Sequence, residues 1–238
     1  TAYEIRLSLV GSEMCIRDSG NIALEGSGFT INGSNDVLLI TSGDTVDFNV
    51  GASGSGAITI AEKKLTIDTD TTDTSGGNIT IAGDIIGSDT GTASNISADV
   101  VLDAVAATVS VKGIGHNTGG AVNDEINDVT LTGGTVKVVG QINTTGHTSG
   151  GNDPGTVTIN GALELQGDTT INTDDTGTTL DGDVSITGNV DGNGAGAAEK
   201  LTITSGSGAI DFNGHIGDGD PLGAVSYTHL TLPTSDLV

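Results

Sequence analysis

The stretch Gly182 to Val190, GDVSITGNV, carries the pattern that decides the fold. Two aliphatic residues alternate with polar ones after a first glycine, and a second glycine follows six residues after the first. Because the side chains of a strand point alternately to its two sides, Val184 and Ile186 would share one buried face. A glycine at the second position suits a tight corner, since a backbone without Cβ can bend where a side chain would clash.

The same frame returns along the chain. From Gly77 onward its clear and weak copies are separated by 21 to 30 residues, which is the range of solenoid repeats. Stacked units would pair each strand with its equivalents above and below, about 4.8 Å away. The repeat therefore predicts an all-β fold, a single-stranded parallel β-helix (β-solenoid) of about eight coils. The clear copies are GNITIAGDI from Gly77, GTVKVVGQI from Gly134, GTVTINGAL from Gly155 and GAIDFNGHI from Gly208, and a weak copy begins at Ala107.

A β-sandwich built from the same alternating strands is the alternative fold. Sandwich cores usually include large aromatic side chains. Only 2% of this chain is aromatic, which favours the solenoid.

The two ends of the chain differ from the rest. Both arginines, both tyrosines, the only Cys and the only Met lie in residues 1–19 and 225–238. Met14 to Asp18 can be encoded by ATG TGT ATA AGA GAC, whose reverse complement translates as VSYTH, the sequence of Val225 to His229. The ends resemble adapter sequences left in fragmentary sequencing assemblies. We expect residues 1–19 and 225–238 to be non-native flanks, with real terminal caps as the alternative, and residues 20–224 to form one β-solenoid repeat segment of a longer protein.

Charge and composition exclude several kinds of partner. The formal net charge is −24, and −22 remains for residues 20–224 once the four acidic residues and two arginines of the flanks are set aside. Because phosphate contacts need Lys and Arg, we expect no nucleic acid, no anionic lipid and no membrane insertion by this segment. Residues 20–224 contain no Cys, so β-stacking must supply the stability without disulfides or thiolate metal sites.

Acidic residues cluster at the predicted turns, and they make calcium the only cofactor to consider. The candidate ligands are Asp181, Asp183, Asp218 and Asp220. Calcium takes six to eight oxygens, which paired carboxylates and turn carbonyls can provide. Asp also favours turns by bonding its own backbone. We favour solvated turns with no cofactor and keep a calcium site as the alternative.

No catalytic residue is predicted. His116, His147 and His215 stand far apart, without the spacing of a metal or catalytic motif, and His215 has an outward position in its repeat. The enzymatic alternative is a β-helix polysaccharide lyase or glycosidase, which could use calcium or paired carboxylates. Residues 20–224 have no Arg to pair with a uronate and no Trp or Tyr to stack on a sugar. We therefore expect a protein that is not an enzyme.

The succession GDVSITGNVDG, EKLTITSGSGAIDFNGHIG and DPLGAV, within Gly182 to Val225, resembles the strand repeats of large bacterial surface exoproteins. These are autotransporter passengers and filamentous-haemagglutinin-like adhesins. The resemblance is one of pattern and extends over residues 20–224. It implies a right-handed parallel β-helix, secreted or displayed at the bacterial cell surface, that serves as an adhesin stalk.

The leading functional hypothesis is a structural and adhesive stalk segment, whose partner would be a glycan or protein on a host or neighbouring cell. A polysaccharide-active enzyme is the second hypothesis and a calcium-stabilised surface-layer segment is the third. Recognition is expected in the longest loops, because loops leaving a regular stack can vary without disturbing it. Those loops are Gly87 to Asp99, Gly113 to Asn127 and Asn143 to Gly155.

Overall fold

The structure, a computed structural model, describes residues 14–17, 20–31, 36–50, 56–60, 63–70, 75–87, 98–115, 126–144, 154–174, 181–194 and 198–229. These residues form β-strands and no helix. In chain order the strands are β1 (Met14–Arg17), β2 (Ile22–Gly26), β3 (Phe29–Ile31), β4 (Val37–Ile40), β5 (Val46–Val50), β6 (Ala57–Ile60), β7 (Leu65–Asp68), β8 (Ile79–Gly87), β9 (Val100–Asp103), β10 (Thr108–Ile114), β11 (Val129–Val138), β12 (Gln141–Asn143), β13 (Val157–Leu165), β14 (Thr169–Asn172), β15 (Val184–Ile186), β16 (Val190–Asp191), β17 (Lys200–Gly206), β18 (Ile210–Phe212) and β19 (Ala224–His229).

The strands stack in three columns, which the chain visits in turn. Every pairing between two of these strands is parallel. Column 1 holds β1, β4, β7, β9, the first halves of β11 and β13, β15 and β18. Column 2 holds β2, β5, the first half of β8, most of β10, the second halves of β11 and β13, and β16. Column 3 holds β3, β6, the second half of β8, the end of β10, β12, β14, β17 and β19.

These pairings confirm the predicted parallel β-solenoid. The stack has about six turns where about eight were expected, a minor difference. The side chains of β19 are all exposed. The assignment of residues 1–19 and 225–238 as non-native flanks stays a prediction.

The core is a set of aliphatic rows that run along the stack. Alternation along the strands from β2 to β18 turns every second side chain inward, and parallel pairing places these side chains above one another. The clearest row, in column 3, consists of isoleucines that are each fully buried. Full burial of one such side chain contributes about 1.5–3 kcal/mol. The row is Ile58, Ile85, Ile114, Ile142, Ile171 and Ile203.

The glycine-flanked frame does not occupy the same column in every copy. The copies beginning at Gly77 and Gly134 form strands of column 2. Those beginning at Gly155, Gly182 and Gly208 form strands of column 1. The short spacing of 21 residues, between Gly134 and Gly155, is the point where the frame changes column. The distance in sequence between two copies of the frame therefore equals the length of one turn only when both copies lie in the same column.

Candidate functional site

The three longest predicted loops all leave the stack at one corner, the corner between column 3 and column 1. They follow Gly87, Ile114 and Asn143, which end strands of column 3 on consecutive turns. Each loop then leads into a strand of column 1, at Val100, Val129 and Val157 respectively. The middle parts of these loops lie outside the described residues. The described chain thus places their bases one above another.

Buried hydroxyl groups form hydrogen bonds that join the two ends of several segments connecting one strand to the next. The Thr144 Oγ1 donates to the carbonyl of Gly155 at 2.6 Å, and the Gly155 N–H donates back to the Thr144 carbonyl at 3.1 Å. Thr173 and Gly182 repeat both bonds, at 2.6 and 3.2 Å. All of these hydroxyl side chains are fully buried. The same Oγ-to-carbonyl bond links Ser205 to Gly208, Thr69 to Gly77 and Thr41 to Asp44.

We call this arrangement the hydroxyl clasp. It joins residues that lie from three to eleven positions apart in the sequence. The same hydrogen bond therefore spans segments of very different length. Sequence reasoning missed the clasp. Its signal in the sequence is a Thr or Ser just before a loop, followed by the first glycine of the frame just after that loop.

The recurring second glycines lie where the backbones of neighbouring turns meet. A Cβ on Gly188 would collide with the carbonyl group of Gly161, and a Cβ on Gly214 would collide with that of Gly188. These three glycines stack at the corner between columns 1 and 2. Gly83 lies instead at the corner between columns 2 and 3, where a Cβ would collide with the carbonyl oxygen of Gly56. The prediction of tight glycine corners is confirmed, but the glycines occupy two corners.

Asp and Asn residues extend the strand ladders from one turn to the next. In each case an Asp or Asn just before a paired position accepts a hydrogen bond from the backbone N–H of the equivalent residue one turn later, at 2.7–3.2 Å. We call this series the Asx ladder. An ionised carboxylate only accepts hydrogen bonds and makes strong ones, which suits this role. Its pairs are Asn21 with Thr45, Asp36 with Lys64, Asn78 with Thr108, Asp99 with Asp128, Asp128 with Thr156, Asp168 with Lys200, Asp183 with Ala209, and Asn189 with His215.

The structure places the four calcium candidates at two different corners. Asp181 accepts from the backbone N–H and the hydroxyl of Ser207 at 2.7 and 2.8 Å, and Asp183 belongs to the Asx ladder. Both precede β15 at the corner between columns 3 and 1. Asp218 and Asp220 lie between Ile216 and β19, at the corner between columns 2 and 3. Within the described ranges, no group of three or more His, Cys, Asp or Glu side chains is placed to hold a metal. Calcium binding by these four residues stays a prediction.

A buried acid that sequence reasoning missed lies at the same corner as Asp220. Glu199 is 4% exposed, and its Oε2 makes no hydrogen bond in the described part of the chain. The Glu199 carbonyl accepts from the N–H of Gly223 at 2.8 Å, and the Asp220 carbonyl accepts from that of Gly192 at 2.9 Å. Two successive turns are therefore bonded together here. Nothing in the segment around Glu199 predicts its burial, which arises from stacking.

The remaining polar residues of interest that the structure describes are partly or fully exposed. His215 is exposed, as its outward position predicted, whereas His116 and His147 lie outside the described residues. Lys112 pairs with Asp84 at 2.9 Å and Lys137 with Glu164 at 3.0 Å. Both pairs join neighbouring turns, and partly exposed pairs of this kind contribute about 0–1 kcal/mol each.

Comparison with known proteins leaves the function to be inferred from geometry. No protein-family model, no curated protein and no solved structure matches the chain. Within the described residues there is no helix of the length and apolarity needed to cross a membrane.

Proposed function

We propose that this chain is a structural and adhesive stalk segment, without catalysis, of a large bacterial protein that is secreted or displayed at the cell surface. The observation that supports the proposal most strongly is the stack of parallel strands, continuous from β1 to β19. Each further turn adds about 4.8 Å of length by the same backbone pairing. Reach therefore grows with repetition, and no single residue has to carry chemistry.

Rigidity follows from how the turns are joined. The aliphatic rows bury side chains of every turn against the next, and the Asx ladder adds side-chain bonds between turns. Extended strands whose backbone groups are already paired resist local opening, because opening one turn breaks its bonds on both sides. These features support a rigid spacer between a cell and its surroundings.

Display of a binding surface is supported by the hydroxyl clasp and by the shared corner of the loop bases. Thr144 and Gly155 hold the base of one segment without depending on its length. A stalk of this design can carry variable loops along one side of a constant core. The partner we propose is a glycan or a protein on a host or neighbouring cell, since a net charge of −24 disfavours nucleic acid and anionic lipid.

Antibodies against the 238-residue chain, applied to intact bacteria that encode it, test the location. We expect the cells to be labelled without permeabilisation. Beads coated with the chain should bind host or neighbouring cells, while beads coated with an unrelated protein of similar net charge should not. Labelling confined to permeabilised cells would contradict surface display, and release of reducing ends from acidic or neutral polysaccharides would favour an enzyme instead.

A further inference from the structure

Among the described residues, no lysine or arginine is paired with the Glu199 carboxylate. Its Oε2 is the one buried side-chain nitrogen or oxygen in the described part of the chain that has no hydrogen-bond partner. Buried carboxylates in proteins are paired with a cation, hydrogen-bonded or bound to a metal, because an isolated charge is poorly solvated inside a protein. The described ion pairs, at Lys112 and Lys137, involve other acids. The Glu199 Oε2 is therefore a buried ligand atom whose partner is missing from the described residues.

The space next to the Glu199 carboxylate is surrounded by further oxygen atoms. A Cβ placed on Gly192 would lie 2.7 Å from the Glu199 Oε2, 3.3 Å from the Pro221 carbonyl oxygen and 3.6 Å from the Asp220 carbonyl oxygen. One carboxylate and two carbonyls thus converge beside a glycine that leaves the space open. All three oxygens accept hydrogen bonds and none can donate one while Glu199 is ionised.

A second carboxylate lies close by. The Oδ2 and Oδ1 atoms of Asp220 are 3.0 and 3.1 Å from the position of a Cβ on Gly194. Gly194 follows Gly192 by two residues, so the Asp220 side chain covers the same short segment. The two acids come from successive turns, because Glu199 precedes β17 and Asp220 precedes β19, and these strands are paired.

We propose that one calcium ion binds at this corner, with Glu199 as its central carboxylate ligand and the carbonyls of Asp220 and Pro221 beside it. Calcium is a hard cation that takes six to eight oxygens in a flexible arrangement of carboxylates, main-chain carbonyls and water. Magnesium demands a smaller, nearly ideal octahedron and keeps most of its water, so it fits this set less well. Bound calcium neutralises the buried charge and ties one turn to the next. The proposal does not depend on the stalk function.

Calorimetric titration of the metal-stripped 238-residue chain with calcium tests the site, with thermal melts in calcium and in chelator beside it. We expect one ion to bind and to raise the melting temperature, and magnesium to bind more weakly. Glu199→Gln keeps the shape of the side chain and removes its charge. It should weaken calcium binding at least about tenfold, since even the loss of an outer partner of a metal ligand costs about 10–100-fold. The matched control is Glu25→Gln, an exposed glutamate in β2 at the other end of the stack, which should bind calcium like the unchanged chain.

A second variant keeps the experiment decisive if Glu199→Gln fails to fold. Gly192→Ala retains both acids and places a methyl group where the three oxygens converge, so it should also weaken binding. Absence of binding up to about 10⁻³ M calcium, the weakest affinity of extracellular calcium modules, would overturn the proposal. Equal binding by the unchanged chain and by either of the two corner variants would overturn it as well, because the ion would then lie elsewhere.

Discussion

At the corners of the solenoid, the distance between the backbones of neighbouring turns limits which residue fits at a position. Gly188 lies against the carbonyl group of Gly161, so no side chain fits there. Aspartates such as Asp128 accept a backbone N–H from the following turn, which gives the acidic composition a structural use. Burial of Glu199 beside two carbonyls is the opposite case, because its Oε2 has no hydrogen-bond partner in the described part of the chain. The role of each residue depends on the turn above or below it.

Replacement of Gly188 by alanine tests the close approach at the corner. The new Cβ would collide with backbone atoms of Gly161, which have little room to move, so we expect a loss of about 1–3 kcal/mol in the free energy of unfolding, or more. Gly20→Ala is the matched control, because a Cβ there meets nothing within 4 Å. Its effect should stay within about 0.5 kcal/mol. Urea unfolding measures both, and equal midpoints would show that the corner tolerates a side chain.

At the scale of elements, different residues stabilise the strands and the segments that connect them. A strand is defined by its inward aliphatic residues and by pairing with its equivalents, as in the column 3 isoleucine row that includes Ile114 and Ile142. Several connecting segments carry the hydroxyl clasp at their base, for example the one between Thr144 and Gly155. The clasp bonds only the two ends of a segment, which are three positions apart at Thr41 and Asp44 and eleven apart at Thr144 and Gly155.

Thr144→Val tests the clasp. Valine has the shape of threonine but no hydroxyl, so the buried carbonyl of Gly155 loses its donor and the free energy of unfolding should fall by about 1–3 kcal/mol. Thr158→Val is the control, because the Thr158 side chain lies on the outer face of β13 and makes no side-chain hydrogen bond among the described residues. We expect a change of no more than about 0.5 kcal/mol there. Equal losses, measured by urea denaturation, would contradict a special role for the Thr144 hydroxyl.

For the whole molecule, high net charge opposes the tight stacking of turns. The chain carries 31 acidic and 7 basic residues, so repulsion between carboxylates outweighs attraction to lysines. Five of these acids accept a backbone hydrogen bond from the next turn in the Asx ladder, which are Asp36, Asp99, Asp128, Asp168 and Asp183. Stability therefore depends on the ionic environment as well as on burial.

Sodium chloride should raise the melting temperature of the chain. The Debye length, over which salt screens a charge, falls from about 30 Å at 0.01 M to about 8 Å at 0.15 M salt. Higher salt therefore weakens the repulsion between acids on neighbouring turns. The melts are recorded in chelator, so that divalent ions do not contribute. A melting temperature that is constant or falls with salt would show that surface ion pairs such as Lys137 with Glu164 outweigh the repulsion.

Much of the fold was predictable because its signals are local. Alternation has a period of two residues and needs no partner to be recognised, and the glycine-flanked frame repeats it often enough to exclude most other folds. The exposed position of His215 followed from the same alternation. The choice of column was not predictable in this way, since alternation is identical in all three columns. Only the stacked turns place the copy from Gly134 in column 2 and the copy from Gly155 in column 1.

The sequence by itself determined a parallel β-solenoid with glycine corners, an acidic surface and an aliphatic interior, because these properties depend on residue type and on short-range period. Tertiary structure alone decided which residues meet between turns. It separated Asp181 and Asp183 from Asp218 and Asp220, and it buried Glu199 beside Asp220. The physical reason is that such contacts join residues some 20 to 30 positions apart, at distances set by the exact length of each corner rather than by the pattern of the strands.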